Sequence, residues 1–558
     1  MAGYSVQGEA HRILQEDLLE DARLGISRSI ADAAKKIEFT GGDSQPFVPS
    51  PCKMTESGSA LTALVAASGS AVAADRYGIE HQEIEVNTDV ATLFLESVLL
   101  PTINGQHYLK NEHMQKEMGK ADIYQMGEPI HRFSTNVYQT KDGRWYHLHG
   151  SMNAGPTMKM MQVEEQKASE DEAKKIYAEK VAQWDSTEIE RTANEQFKQA
   201  GTVCNFPEEF FASEHGKIMG EEPLWTSKTL PAPRKPWPQV SADSEYKPLA
   251  GIKVVDFSRV IAAPAISKIL ALLGADVLKI SNTNLPEVGA VMIELNTGKR
   301  DASLDLKTPE GKKAFTELVE GADVLVDGYR PGVLSKLGFD SASLRKLNPT
   351  LIYVRENCYG FKGPLSYRSG WQQISDCLVG ISWLQGKFLG LNEPVVPLFR
   401  EYTNASDSPL ALMKIAANSD YQTGLAGAAA VLGALLARTK DEVTYDIDVS
   451  LTQYNIWYYR LGQYDEEQQT QLRSRNQGFE VRHDDDMLNL VMKTHAAIKK
   501  SHPDIFTHPE YFWNMSGKEW GLEDDILILA PAFKYEKSKL GYSVPSGSRG
   551  RSKPEWLS

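Results

Sequence analysis

Asp420 has the clearest chemical opening in this sequence. It lies in Asn418-Ser419-Asp420-Tyr421-Gln422-Thr423-Gly424, at the head of a small-residue run, GLAGAAAVLGALLAR, spaced as a helix. The free N–H groups at a helix start favour an ionised carboxylate. Such a group either caps the helix or, facing a substrate, attacks an acyl carbon. The pattern alone leaves both readings open. Other clusters point elsewhere. His147-Leu148-His149 falls on an alternating strand, so both imidazoles face one side. With no third ligand suggested nearby, they read as a surface pair and not as a metal site. Asp484-Asp485-Asp486 reads as a solvated charge run. CYGFKGP (358–364) is a Gly-rich turn of the kind that joins a strand to a helix. Cys52, Cys204, Cys358 and Cys377 form no CxxC pair, which argues against a zinc knuckle or a disulfide scaffold and fits a reducing compartment. No P-loop, GxSxG or HExxH is present.

The elements that must position such residues fall into two textures. At 558 residues the chain exceeds one domain's core. Residues 8–37 have the apolar spacing of an amphipathic helix or helix pair. A linker (41–53), a small-residue helix (59–78), a strand IEVN (84–87) and a helix (88–99) follow. VYQTKDGRWYHLHG (137–150) reads as a hairpin turning at Lys141-Asp142-Gly143. Residues 163–201 are charge-rich and helical, and the proline-rich stretch 229–248 reads as an interdomain linker. After it, short apolar strands alternate with helices. The strands are GIKVVDF (251–257), DVLKI (276–280), SLDLK (303–307), DVLVDGY (323–329) and LIYVREN (351–357). The helices are 266–275 and 308–322, the latter capped by Thr308 with Pro309 at its first position. This alternation predicts an α/β domain with a mostly parallel sheet. Such sheets bind ligands beyond the carboxyl ends of their strands, here Ser258-Arg259, Ser281-Asn282, Tyr329-Arg330 and Asn357-Cys358. There is one internal echo: residues 60–87 and 424–450 are each a small-residue helix, a polar turn and a strand (Ile84-Glu85-Val86-Asn87 against Ile447-Asp448-Val449-Ser450), which reads as a partial duplication.

Sixty Lys and Arg against 74 Asp and Glu leave a net charge of −14, which argues against nucleic acid or an anionic membrane as a partner held by the global field. A local basic pocket stays compatible with it. The first 25 residues carry neither a basic n-region nor an apolar h-region, stretches such as 424–437 are short for a bilayer, and PEWLS is no targeting signal. A cytoplasmic location is expected.

From 248 to about 458 the chain resembles the family III CoA-transferases, the group of formyl-CoA and carnitine CoA-transferases and the α-methylacyl-CoA racemases. The blocks that carry the resemblance are PLAGIKVVDFSRVIAAPAISKILALLGADVLKIS (248–281), NTGKRDASLDLKTPEG (296–311), ADVLVDGYRPGVLSKLGFD (322–340), LNPTLIYVRENCYGFKGP (347–364) and SDYQTGLAGAAAVLGALLARTKDEVTYDIDVSL (419–451). The hairpin at 137–150, residues 180–205 and the stretch LILAPAFKYEKSKLG (527–541) look like the family's later half, displaced.

The resemblance implies an α/β protein with a Rossmann-like parallel-sheet large domain and a smaller α+β domain. Residues 1–55 would be a helical segment and linker, and 56–228 a partial repeat including the small domain. The linker is 229–248, the CoA-binding domain with the nucleophile is 249–464, and 465–558 closes the chain. It implies that Asp420 is the nucleophile and that coenzyme A enters as acyl-CoA, with a carboxylic acid as the other substrate and no metal. Val260 and Ile261 would give the backbone contact after the first strand, Leu304 to Lys307 the adenine-side strand, and Gly328, Tyr329 and Arg330 the turn after DVLVDGY. Lys279, Lys299 and Arg300 are further cations expected near the phosphates, and the CYGFKGP turn would help shape the acyl pocket. The chain departs from the family at Ser281-Asn282, where a polar CoA contact is common, and in the long loop holding FLGLNEPVVPLFREYTN (388–404). The racemase branch has a His-Asp pair where this chain reads Ser369-Gly370-Trp371-Gln372, and no histidine lies between His215 and His483. The alternatives to a transferase are therefore a 2-methylacyl-CoA racemase lacking its second base and a non-catalytic CoA-binding homologue. The echo places Glu56-Ser57 near the position of Asp420, a relic and not a second active site. Two assemblies stay open, a homodimer and a pseudo-dimer made in cis.

Overall fold

The computed structural model describes residues 3–240, 245–397, 418–485 and 487–557. Its largest sheet has seven strands, in chain order β1 (Trp225–Pro231), β2 (Lys253–Phe257), β3 (Asp276–Ser281), β4 (Lys299–Ser303), β5 (Val324–Asp327), β6 (Ile352–Asn357) and β7 (Val443–Ser450). Across the sheet they run β4-β3-β2-β5-β6-β7-β1. The six from β2 to β7 are parallel, and β1 closes one edge antiparallel to β7. The chain works outward from β2 in one direction and then from β5 in the other, so the doubly wound order reverses between β2 and β5. A crevice opens at that switch point because the two connections leave on opposite faces. Val254, Val255, Leu278, Val324, Leu325, Val326 and Val354 are all buried, as strands covered on both faces require.

Four helices position the site: α1 (Met54–Tyr77), α2 (Ala262–Leu272), α3 (Gln372–Val379) and α4 (Asn418–Arg438). α4 packs against both α1 and α2. α1 is long and apolar enough to cross a membrane by length and composition, yet 94% of its apolar window is buried within the protein. A helix apolar on every side needs neighbours on every side, and this one is a central core helix. α4 meets α2 through glycine: a Cβ at Gly424 would lie 2.6 Å from the Ala265 Cβ and 3.1 Å from the Ala262 carbonyl oxygen. A Cβ at Gly427 would meet the Ile266 Cδ1 at 2.6 Å.

The first half of the chain does not form a separate body. Ile13, Leu14 and Leu18 share one apolar core with α1, α2, α4 and Phe533. Within that half, the antiparallel strands Asn136–Gln139, Trp145–Leu148 and Gly201–Val203 make a small sheet with its own core around Phe133, Tyr146 and Tyr177. The strands Ile37–Thr40 and Ile84–Asn87 pair in parallel, and Phe533–Tyr535 joins them antiparallel. The last residues strap the β4 edge of the large sheet, with Ser552 N donating to Asp301 O at 2.8 Å and Trp556 Nε1 to Leu318 O at 3.1 Å. A covered edge cannot pair with another chain.

Two expectations need correction. The third strand is not SLDLK (303–307) but Lys299–Ser303, and Leu304 to Lys307 form the turn after it. The expected linker 229–248 begins inside β1, because β7 needs an edge partner. Of the 388–404 loop, residues 398–404 lie outside the described residues.

The packing of α4 makes a prediction from two glycines on one helix. Gly424→Ala should destabilise the protein by about 1–3 kcal/mol through the overlap with α2. Gly433, with its nearest neighbour 3.9 Å from a Cβ, should accept alanine and gain about 0.5–1 kcal/mol of helix propensity. Denaturant unfolding of both variants checks the opposite signs.

Candidate active site

A cleft of about 360 Å³ opens at the switch point. Its floor comes from the segments after β2 (Arg259 to Ala262), after β5 (Gly328 to Pro331) and at the end of β6 (Glu356 to Cys358), with Asp420 from α4. Its facing wall comes from the first half of the chain, through Ser151, Asn153, Pro156 and Gln199.

The floor is held from beneath by Asp256, the fourth residue of β2, which is wholly buried. Lys299 Nζ of β4 bonds its Oδ2 at 2.8 Å, Ser267 Oγ of α2 donates to it at 2.7 Å, and Ser258 Oγ donates to its other oxygen. Together these donors hold the Asp256 carboxyl below its usual range against the cost of burial. Just above, Val260 adopts φ +69°. For a β-branched residue this conformation costs roughly 1–3 kcal/mol, and it persists only where the surroundings enforce it. Gly328 approaches so closely that a Cβ would lie 2.5 Å from Ala263 Cβ and 2.9 Å from Ser258 Cβ.

Two guanidiniums stand over this floor. Arg259 lies 4.8 Å from the centre of the Tyr329 ring, which stacks on Phe257 at 4.2 Å. Arg259 Nη1 donates to Pro286 O at 3.0 Å and Arg330 Nη1 to Lys198 O at 3.3 Å. Neither has a carboxylate partner among the described residues. Two unpaired cations in one cleft suit a polyanionic ligand.

Asp420 sits in the first turn of α4, 9% exposed, its carboxylate without a hydrogen-bond partner among the described residues. Behind it Asp376 of α3 accepts from Asn455 Nδ2 at 2.8 Å, Gln372 Nε2 at 3.1 Å and Ser419 Oγ at 3.3 Å. Burial raises Asp376 to about 7 despite these donors. Burial, then the Asp376 charge, push the Asp420 carboxyl well above the usual carboxylate range. A raised pKa makes Asp420 a more basic, hence better, nucleophile once it is ionised.

Of the residues expected from sequence, Val260, Ile261, Gly328, Tyr329, Arg330 and Asp420 come together in this cleft. Leu304 and Lys307 do not line it: Leu304 packs against the core beside β4, and Lys307 is exposed in the following turn. The other expected cations are spent inside the sheet, Lys279 on Glu287 at 2.6 Å, Lys299 on Asp256 and Arg300 on Asp276 at 3.0 Å. A cation on a covered strand must be neutralised where it lies. Ser281 likewise turns to Asp301, at 2.6 Å. His147 and His149 are not a surface pair. Both are buried, their rings 5.8 Å apart, and His149 stacks on the cleft residue Trp371 at 5.3 Å and 6°. Burial lowers His147 to about 4 and holds His149 well below the usual imidazole value, so both are neutral. Sequence reasoning missed Glu356. Its signal was a carboxylate at the carboxyl end of a covered strand.

Glu56, the counterpart of Asp420 in the echo, is fully buried. It accepts from Tyr4 Oη at 2.5 Å and from Tyr464 Oη at 2.8 Å, which leaves it no free face.

Residues 249–485 match the family model described as CoA-transferase family III. A Hypoxylon pulicicidum protein named acetyl-coenzyme A transferase nodX is 34% identical over 579 residues, spanning 100% of this chain and 94% of its own length. An acyl-CoA transferase of Gibberella moniliformis is 30% identical over 433 residues, 74% of this chain and 72% of that protein. The beta subunit of a succinyl-CoA–L-malate CoA-transferase of Chloroflexus aurantiacus is 36% identical over 219 residues, 37% of this chain and 49% of the subunit.

The buried acid behind Asp420 sets a pH dependence. A carboxyl raised in the folded state lends stability in full below its unfolded pKa, about 4. That stability is lost as the pH rises through about 7, where folded Asp376 gives up its proton. Asp376→Asn should flatten this decline, with the largest gain in Tm over the parent at pH 8. Thermal melts from pH 4 to 8 check it, and an unchanged slope would reject the assignment.

Proposed function

The chain belongs to CoA-transferase family III, and from that premise we propose that it moves CoA between an acyl-CoA and a carboxylic acid through a thioester on Asp420. One observation supports this most directly: an unpartnered carboxylate shares a cleft with two unpaired guanidiniums, among the described residues. In this reading an Asp420 oxygen attacks the thioester carbon, the C–S bond breaks, and CoA leaves as its thiolate. A mixed anhydride remains. The thiolate attacks the aspartyl carbon of that anhydride and the first acid leaves as a carboxylate. The acceptor carboxylate then attacks the aspartyl thioester and the same steps run in reverse. No net proton moves, so the site needs no metal or external base for these steps. Arg259 and Arg330 hold the phosphates of CoA, and the backbone around Val260 and Gly328 lets the ligand lie close to the floor.

The test is intact-mass analysis after incubation with acetyl-CoA or succinyl-CoA, followed by hydroxylamine or borohydride trapping. The expected result is an adduct on Asp420. Asp420→Asn should lose the adduct and at least about 10³-fold in kcat while still binding CoA. Turnover retained by that variant, or an adduct on another residue, would refute the mechanism. CoA binding with no turnover from any donor would favour the non-catalytic reading.

The cleft draws both walls from one chain, so we also infer that a single protomer is competent, with the first half acting in cis. Sedimentation velocity of the active protein should show a compact monomer. A tight dimer whose dissociation abolishes activity would refute it.

A further inference from the structure

Glu356 is the last but one residue of β6 and lines the same cleft as Asp420. Successive strand residues face opposite sides. Arg355, on the other side, is bound to Asp448 through two 2.7 Å hydrogen bonds. Glu356 has no hydrogen-bond or ion-pair partner among the described residues. The charged groups nearest to it are acidic: Asp420 on α4 and Asp327 at the end of β5, the latter bonded by Tyr353 Oη at 2.8 Å. The thiol of Cys358 lies two residues on. Arg259 and Arg330 serve the same cleft, but neither neutralises Glu356.

A glutamate without a partner on a cleft floor is costly unless it has a task. Two carboxyl groups whose charges repel across one cleft do not readily both ionise near neutral pH. Burial, then the charges of Asp420 and Asp327, drive Glu356 toward its neutral form. A neutral carboxyl is an O–H donor, whereas a carboxylate only accepts. When Asp420 attacks a thioester, the carbonyl oxygen gains negative charge and needs such a donor.

Resting on the transferase reading above, we propose that Glu356 is a second catalytic carboxyl, whose O–H donates to the oxygen that gains charge as Asp420 attacks the thioester. Glu356 keeps its proton throughout. The hydrogen bond strengthens in the tetrahedral intermediate and relaxes when the C–S bond breaks and the thiolate leaves. The same donor serves the return attack on the aspartyl thioester.

The test compares Glu356→Gln, which keeps an N–H donor, with Glu356→Ala. With acetyl-CoA or succinyl-CoA as donor, the Ala variant should lose about 10²-fold or more in kcat with KM little changed. The Gln variant should stay within about fivefold of the parent, because a neutral donor remains. Equal loss in both variants, or kcat of the Ala variant within twofold of the parent, would overturn the proposal. So would solvent deuterium appearing at the acyl α-carbon in the parent and vanishing in Glu356→Gln, since Glu356 would then be a base. Infrared difference spectra at pH 7, parent minus Glu356→Gln, should show a protonated carboxyl band. Its absence would overturn the proposal whether or not a productive donor has been found. Failure of the transferase reading itself would show separately, as no adduct on Asp420 in the parent.

Discussion

One buried carboxylate, Asp256, holds the rest of the site in place. It ties together three elements that converge beneath the cleft, β2 itself, β4 through Lys299 and α2 through Ser267. Lys299 also reaches the carbonyl of Pro264 at 2.8 Å, inside the first turn of α2. The segment between β2 and α2 is thus fixed at both ends, and Val260 is held at a positive φ that no valine would choose. Leaving one member of such a pair without its partner typically costs about 3–5 kcal/mol, because a charge is then stranded in a dry core. Stored strain above and a neutralised charge below are two aspects of one arrangement. The floor is tied at both ends, and its backbone at Val260 and Gly328 lines the cleft directly.

α4 adds the second constraint. Its carboxylate reaches the cleft only because glycine at 424 and 427 lets α4 settle against α2 at a distance that side chains would forbid. A helix of alanine and glycine gains little from propensity at those glycines, so its position must come from packing. That packing is supplied on one side by α2 and on the other by α1, which comes from the first half of the chain. The two halves are coupled through the helix that carries Asp420.

The parallel strands were legible because covered strands read as unbroken apolar runs: KVVDF, DVLKIS, VLVD and the start of IYVREN. The strand that eluded the same reading is KRDAS, whose first three residues are charged and buried. Its side chains are satisfied by partners on other strands, Lys299 by Asp256 and Arg300 by Asp276, and no local pattern announces pairs so distant in sequence. The same fact explains the misplaced cations. A lysine on a strand next to a binding loop looks available for phosphate until the sheet shows it facing inward. The resemblance places Arg330 in the turn after DVLVDGY, where it has no carboxylate partner among the described residues. The histidine pair was misjudged for the converse reason: alternation showed that both rings share a side, and only the packing of Trp371 shows that this side is covered.

The two echoing helices show what separates an enclosed acid from one that faces a cleft. Glu56 and Asp420 each lie in the first turn of a long small-residue helix, each is buried, and burial raises both. Burial alone therefore does not mark a nucleophile. Two tyrosine hydroxyls donate to Glu56, stabilising its charge and closing its face. Asp420 has no such donors among the described residues, has a second acid behind it at Asp376 and a third beside it at Glu356, and keeps a face on the cleft. Its negative charge is unwelcome in the fold and accessible from outside, and forming a bond to an acyl carbon removes that charge. On the transferase proposal, the free energy the fold withholds from the Asp420 carboxylate would favour its acylated form.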